Sequence, residues 1–337
     1  MYKVSILVPI YGVEPYIESC ARSLFSQTYP NLEYVFVDDC SPDRSVEILQ
    51  NVIKDYPERK NEVKIVSHEK NRGLAAARNT ALEYATGDFI SHVDSDDWVE
   101  PNMIEYLVLT QLKTNADIVS CDAQIHYPTG VRCWEEPDYG SKDEMMQSIL
   151  RMTMNHVIWR RLIRLSLYKA NNIHMVDGVN IGEDHYTLPR LLFYADSFAR
   201  CKRVLYHYNC MNEHSYMQST GESFNLLRYR SNISSLNILI DFFSLRSSNY
   251  LNLLYTLKSE YVYKQFFGIL KAGDKDAYYE LCKDWSSIDY SFLSKTADSK
   301  SSFRIGLLSP SYYYLNRIRV IFRIILKKVF GKRNYEL

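Results

Sequence analysis

Three short stretches of this sequence carry side chains whose types and spacing could do chemistry together. In Asp94-Ser95-Asp96 two carboxylates stand one residue apart, directly after the apolar run Asp88-Phe-Ile-Ser-His-Val93. Carboxylates so placed can address one hard cation. Mg²⁺ and Mn²⁺ favour oxygen ligands, and Mg²⁺ sites often take only one or two carboxylates beside phosphate oxygens. The ordinary alternative is a helix start, with Asp96 or Asp97 capping ahead of Trp98. Asp38-Asp39 ends a second apolar run, Tyr34-Val-Phe-Val37. A carboxylate there could accept the imide N–H of a uracil ring. Cytosine has an acceptor at that position, so the contact would separate the pyrimidines by leaving a polar group unpaired. Asp38 suits that role, leaving Asp39 to cap or hold the loop. Capping competes here too, because Ser41-Pro42-Asp43 opens a helical stretch. The third stretch, Asn71 to Asn79, runs from a loop into a helix. Gly73 permits close backbone approach, and Arg78 offers a planar donor fork to phosphate or ribose. A turn glycine and a surface arginine are the plain readings of those two.

These residues stand where the expected elements end. Apolar runs Val4–Ile10, Leu32–Val37, Val63–Ser67 and Asp88–Val93 read as strands, and Asp117–Cys121 as a fifth. Between them Ile17–Ser26, Arg44–Asp55, Leu74–Ala85 and a stretch from Pro101 have helical spacing. Strands alternating with helices predict an α/β fold with a mostly parallel central sheet. Ligands of such sheets bind outside the carboxyl ends of the strands. Tyr11 and Glu14, Asp38 and Asp39, Asn71 and Arg72, and Asp94 and Asp96 all fall there, on one rim. After residue 140 the pattern changes. Ser141–Met152, Arg161–Ala170 and Glu183–Tyr194 read as helices, Val204–Tyr208 as a strand, and Glu222–Trp285 as helical throughout. The expected division is 1–218 for the α/β domain, 219–300 for a helical region and 301–337 for a tail.

Composition sets the outer bounds. The chain has 337 residues, 46% hydrophobic and 24% charged, which excludes a disordered or low-complexity protein. Forty basic residues balance forty acidic ones, so bulk charge gives no reason to expect nucleic acid as a partner. The balance is uneven, however: residues 300–337 carry a net +8 and the remainder −8. No 18-residue apolar stretch and no signal-peptide pattern occur, so the expected location is the cytoplasm or the inner face of the cell membrane. Seven scattered cysteines without a Cys-x-x-Cys pair fit reduced thiols better than a disulfide framework. The series Cys201, His207, Cys210, His214 lacks the closely paired ligands with which structural zinc sites usually begin.

SILVPIYGVEPYIESCARSLFSQTYPNLEYVFVDDCSPDRS, NRGLAAARNTALEYATGDFISHVDSDDW and GEDHYTLPRL, in that order, resemble the family 2 glycosyltransferases of GT-A fold over residues 3–215. The resemblance implies roles position by position. Pro9, Tyr11 and Glu14 match the first-strand motif lining the nucleotide pocket. Asp38 matches the aspartate that reads the base, and Asn71, Gly73 and Arg78 match the loop and helix over the nucleotide. Asp94 and Asp96 match the carboxylates that engage donor ribose and divalent metal, Asp96 as direct ligand. Asp184 matches the catalytic base of the inverting reaction, although at the head of a helix it could also be an N-cap. His214 and Ser215 fit a loop that reaches the diphosphate, and Cys210 stands where some relatives carry arginine.

The expected function is therefore transfer of one sugar from a nucleotide donor, UDP above all, with Mn²⁺ or Mg²⁺. The expected acceptor is a glycan or lipid-linked glycan of surface polysaccharide synthesis. The Gln-x-x-Arg-Trp signature of processive members is missing, which favours a single addition. A nucleotidyltransferase would show a Gly-rich, Arg-containing loop after the first strand, and an oxidoreductase Gly-x-Gly-x-x-Gly; neither is present. The rival from another class is a catalytically silent scaffold of the same fold, against which Asp38, Asp94, Asp96 and Asp184 all argue. In Arg317–Phe330, Ile318, Ile321, Phe322, Ile325, Leu326 and Val329 gather on one helical face, with Arg319, Arg323 and Lys327 opposite. That pattern suits an in-plane helix on an anionic membrane surface, or a helix packed on protein.

Overall fold

The computed structural model describes residues 1–151, 156–212 and 226–288. The chain divides into two compact units, residues 1–219 and 220–337. The first is built on one nine-stranded sheet with the spatial order β3-β2-β1-β4-β8-β6-β9-β5, and β7 pairs with β6. Its first half is parallel throughout: β1 (Val4–Ile10), β2 (Leu32–Asp38), β3 (Val63–Ser67) and β4 (Phe89–His92). Every side chain of β1 is buried, as expected where helices cover both faces of a sheet. Register places Ile10 beside Asp38, Asp38 beside Ser67 and Leu7 beside His92. All four carboxyl ends therefore open on one rim.

The covering helices follow from side-chain spacing. α1 (Ile17–Phe25) buries Ile17, Cys20, Ala21, Leu24 and Phe25, one helical face. α2 spans Ser45–Asp55. In α3 (Leu74–Tyr84) Ala75, Ala76, Ala77 and Ala81 are buried, and these small side chains let the helix lie close against β1 and β2. α4 (Met103–Thr114) ends on Asn115 in the left-handed region.

The second half of the sheet is mixed. β5 (Trp98–Val99) pairs antiparallel with β9 (Phe198–Asn209), and β6 (Ile118–Tyr127) pairs with β9 in parallel across a bulge at Cys121–Asp122. β6 runs six residues beyond the expected strand because it turns at Gly130 (φ 135°) into a hairpin with β7 (Gly130–Trp134). Arg161–Ala170, read from sequence as a helix, instead divides into β8 (Arg161–Arg164) and α6 (Leu165–Ala170). β8 lies antiparallel between β4 and β6, with Ile163 opposite both Ile90 and Ile118. Ladder pairing there overrides local helical spacing. α5 is Lys142–Leu150 and α7 is Glu183–Tyr194.

The second unit contains α8 (Leu226–Ser244), α9 (Leu251–Ala272) and α10 (Lys275–Ser286). Gly273, at φ 75°, closes α9, and the Asp274 side chain accepts from Ala277 N to start α10. Tyr229, Val262, Phe266, Ile269, Tyr278 and Trp285 pack together among these helices. Among the described residues no helix is long and apolar enough to cross a membrane.

One buried carboxylate ties the first sheet together. Glu33 accepts from Ser5 Oγ, Lys3 Nζ at 2.7 Å, and Thr86 Oγ1 at 2.7 Å. Burial alone would raise its pKa, but these donors more than compensate and hold it at about 2. A carboxyl depressed below its ordinary value stabilises the fold above that value and loses the contribution as pH falls. Stability should therefore drop between about pH 5 and pH 2. Glu33→Gln should remove most of that slope and cost roughly 2–4 kcal/mol at pH 7, read from urea midpoints across the range.

Candidate active site

The loops at the rim are fastened to one another before any ligand is considered. After β1, Gly12 N donates to Ser41 Oγ at 2.9 Å, Val13 N to Ser45 Oγ and Glu14 N to Asp43 Oδ2. Asp43 Oδ1 also accepts from the hydroxyls of Ser41 and Ser45, both at 2.6 Å. Burial would raise the Asp43 pKa, yet these donors hold it below the usual carboxylate value. Pro9 is buried in β1, and Tyr11 is exposed. The Glu14 carboxylate accepts from Arg44 N at 3.0 Å, fixing the start of α2.

Asp38 Oδ1 accepts from Ser41 N at 2.8 Å, which leaves Asp38 partly open on the rim. Asp39 is buried and does another job. It accepts from Arg72 N at 2.8 Å, Gly73 N at 2.7 Å and His68 Nδ1 at 2.6 Å. His68 Nε2 lies 2.9 Å from Thr80 Oγ1. Asp39 thus shapes the loop carrying exposed Asn71, more than thirty positions on, rather than its own turn. Gly73 has φ 89°, and a Cβ there would sit 2.2 Å from Asn180 Nδ2. Asn180 Oδ1 accepts from Ala75 N in the first turn of α3. Asn79 exchanges bonds with the Met175 backbone, with Nδ2 to Met175 O and Met175 N to Oδ1, both at 2.8 Å.

Arg78 is not the surface arginine of the plain reading. It is 1% exposed, with Nη2 donating to Asp94 Oδ1 at 2.8 Å and Nε to Glu183 Oε1 at 3.2 Å. Burial would lower its pKa, and the charges of Asp94 and Glu183 more than restore it. One guanidinium so joins the loop after β4 to the head of α7, where Asp184 sits. The Asp184 carboxyl is pushed well above its ordinary value, first by burial and then by Glu183, with Arg78 and the Ile158 N–H opposing.

The acidic loop itself is sorted by hydrogen bonds. Asp97 is buried and accepts from Tyr206 OH at 2.6 Å and Asn209 N at 2.7 Å, so it anchors the loop to β9. Asp96 Oδ2 accepts from Asn212 Nδ2 at 2.8 Å. Burial and then the neighbouring Asp94 raise the Asp96 carboxyl to about 6. His214, Ser215 and residues 301–337 lie outside the described residues. Of the zinc-like series, His207 is occupied by Glu100 Oε1 at 2.9 Å and His126 Nε2 at 3.1 Å.

Sequence reasoning missed the parts played by Asn79, Asn180 and Glu183. Glu183 stands next to Asp184 in the same motif, so its signal was present. Asn79 and Asn180 act through partners about a hundred positions away, which spacing along the chain does not display.

A sheet of this order with acidic loops at its rim defines a GT-A fold. A solved structure of S. aureus TarS residues 1–349 with UDP-GlcNAc superposes with a TM-score of 0.60 at 19% identity, covering 99% of this chain and 93% of that one. The family model described as glycosyl transferase family 2 matches residues 5–178, just over half of the sequence, and the chain belongs to that family. EpsH of Bacillus subtilis, which carries a glycosyltransferase name, is 31% identical over 212 residues, 61% of this chain and 60% of EpsH. GgaB of the same organism, named a minor teichoic acid biosynthesis protein, is 26% identical over 228 residues, 66% of this chain and 24% of GgaB.

If Arg78 is a buried bridge, Arg78→Met strands two carboxylates and should cost about 3–5 kcal/mol. Urea unfolding measures this. A surface arginine would lose less than 1 kcal/mol.

Proposed function

We propose that this chain transfers one sugar from a UDP-sugar to a glycan or lipid-linked glycan acceptor, with inversion, in bacterial surface polysaccharide synthesis. The observation that carries this reading is the Arg78 bridge, which sets a rim carboxylate, Asp94, and a candidate base, Asp184, around one guanidinium. TarS supports the donor class through the UDP-GlcNAc in its structure, and GgaB supports the acceptor class through its name.

In this reading Asp38 accepts from the base, while Tyr11, Glu14, Asn71 and Gly73 line the nucleotide. Asp184 takes the proton of the acceptor hydroxyl as that oxygen attacks the anomeric carbon from the face opposite the diphosphate. A base there must be ionised but not weakly basic, and a raised carboxyl pKa serves that need. The residues also fit a divalent cation. Among the described residues no group of three or more cation ligands is assembled, but Asp94 and Asp96 share one loop, and the Asp96 carboxyl is raised to about 6 by burial and by Asp94, a crowding of negative charge that a cation would relieve. Mn²⁺ or Mg²⁺ held by Asp96 would supply Lewis-acid stabilisation of the diphosphate leaving group. His214 and Ser215 are proposed beside that diphosphate. The division into residues 1–218, 219–300 and 301–337 is proposed on the same footing, with donor chemistry in the first part.

Asp184→Asn keeps shape but cannot accept a proton. It should retain UDP affinity by calorimetry and lose about 10² or more in turnover of UDP-GlcNAc with Mn²⁺. Asp96→Ala, assayed alongside, should lose the response to Mn²⁺. Wild-type turnover in either variant would overturn the role given to that residue.

Residues 317–330 are proposed to lie on an anionic membrane surface, each basic residue adding about 1 kcal/mol near it. Full-length protein should float with phosphatidylserine vesicles at low salt, and a variant with Arg319, Arg323 and Lys327 changed to Glu should not. Equal flotation of both would assign the stretch to packing on protein.

A further inference from the structure

Beside the acidic loop, the mixed half of the sheet carries aromatic side chains gathered on one face. Register sets Trp134 of β7, Ala123 of β6 and Tyr206 of β9 in one row, and Arg132, Ile125 and Tyr208 in the next. Side chains two residues apart share a face of the sheet. Trp159, just before β8, lays its ring on this face. It stacks 4.6 Å from Tyr206 and 5.1 Å from Tyr208 between centroids, parallel to Tyr208 within 4°. It also meets Trp134 edge to face at 5.7 Å. The Arg160 guanidinium lies over the Trp134 ring at 5.2 Å and donates to Cys121 O at 2.7 Å, which fastens that indole to β6.

The inner edge of this face is bonded to the loop that holds Asp94 and Asp96. The Tyr206 hydroxyl donates to Asp97 Oδ2 at 2.6 Å and accepts from Asp94 N at 3.1 Å. Asn209, next to Tyr208, donates its N–H to Asp97 Oδ1 at 2.7 Å. Exposure grows outward from there. Tyr206 and Trp159 are buried, Tyr208 and Trp134 half-buried, and Arg132 and Tyr127 exposed, with the guanidinium 5.5 Å over the Tyr127 ring. Sheet order puts β1 to β3, with Asp38 closing β2, on one side of β4, and β6, β7 and β9 on the other.

The patch is small. Two rows two residues apart and two strand spacings wide make about 7 Å by 10 Å, the footprint of one or two sugar rings. A stable protein partner needs about 800 Å² a side. A pyranose matches the chemistry too, with C–H groups on its faces and hydroxyls around its edge. Aromatic rings suit the faces, and Arg132 offers planar donors to the hydroxyls. Inversion brings the acceptor in opposite the diphosphate, so a nucleotide over β1 to β3 leaves this side to the acceptor. We propose that this face is a saccharide subsite: a sugar ring of the acceptor rests against Tyr208 and Trp134, Arg132 donates to its hydroxyls, and Tyr206 joins the subsite to the acidic loop. Naming that saccharide as the acceptor rests on the proposed placement of the UDP-sugar.

Saturation-transfer NMR on the full chain with UDP and Mn²⁺ tests this. The probes are the methyl β-glycosides of glucose, galactose, N-acetylglucosamine and N-acetylgalactosamine. At least one should take up saturation at its ring C–H protons. Its Kd should rise about tenfold in Tyr208→Ala and about threefold in Arg132→Ala, with UDP affinity by calorimetry unchanged in both. Arg132 is exposed, so its variant serves alone if Tyr208→Ala does not fold. Tyr84→Ala, which removes an exposed ring at the end of α3, should change neither affinity. Silence of all four probes on the wild type, or equal Kd values in the wild type and the folded variants, overturns the proposal. A dimer in light scattering that Arg132→Ala dissolves gives the face to a second copy of the chain and overturns it too. If the variants weaken the probe while UDP fails to bind even the wild type, the saccharide face stands and the donor placement fails. If Asp38→Ala lowers UDP affinity while Tyr208→Ala and Arg132→Ala leave the probe unmoved, the donor placement stands and the proposal fails.

Discussion

Much of this site depends on a single buried cation. The Arg78 guanidinium is almost wholly out of water, and that position is tolerable only because Asp94 and Glu183 accept from it. The constraint runs both ways. Glu183 is itself buried beside Asp184, and two adjacent acids at the head of a helix would repel each other without a shared counter-charge. Removing any member of the group leaves the others facing uncompensated burial. The sheet supplies the frame by bringing β1 to β4 to one rim, and Arg78 ties that frame to α7.

The acidic residues of the rim show how neighbours of one type are given different work. Asp38 and Asp39 are adjacent, yet only Asp38 stays partly open, because Asp39 is consumed by two backbone amides and His68. Asp96 and Asp97 separate in the same way: the Tyr206 hydroxyl and the Asn209 amide claim Asp97, and Asn212 contacts Asp96. Hydrogen-bond donors on β9 therefore decide which carboxylate of the loop anchors it. Burial acts on both, raising the Asp96 carboxyl to about 6 and the Asp97 carboxyl well above its ordinary value despite its two donors.

Legibility in the sequence follows the range of the forces involved. The strands β1 to β4 and helices α1 to α3 were readable because apolar runs and helical spacing are local. The rim carboxylates were readable because turns must follow such runs. β8 was misread because its strand character comes from β4 and β6 on either side, and the apolar spacing of Arg161–Ala170 is equally helical. Arg78 was misplaced for the same reason. An arginine on an alanine-rich helix looks solvent-facing until the acids that bury it are known, and one of them lies 105 positions away. The GT-A resemblance placed Asp184 in a role, but not the packed rings of Trp134, Trp159 and Tyr208, which no short motif joins.

That separation of 105 positions also sets an order in time. Translation at about 5–20 residues per second delivers Glu183 roughly 5–20 s after Arg78. In that interval α3 can pack its alanines on β1 and β2, but the arginine it carries lacks the partner on α7 that completes its burial. The N-terminal half of the first unit must hold this charge near water, or with Asp94 alone, until α7 leaves the ribosome and docks. Synthesis of the chain thus ends the wait with the same contact that closes the site.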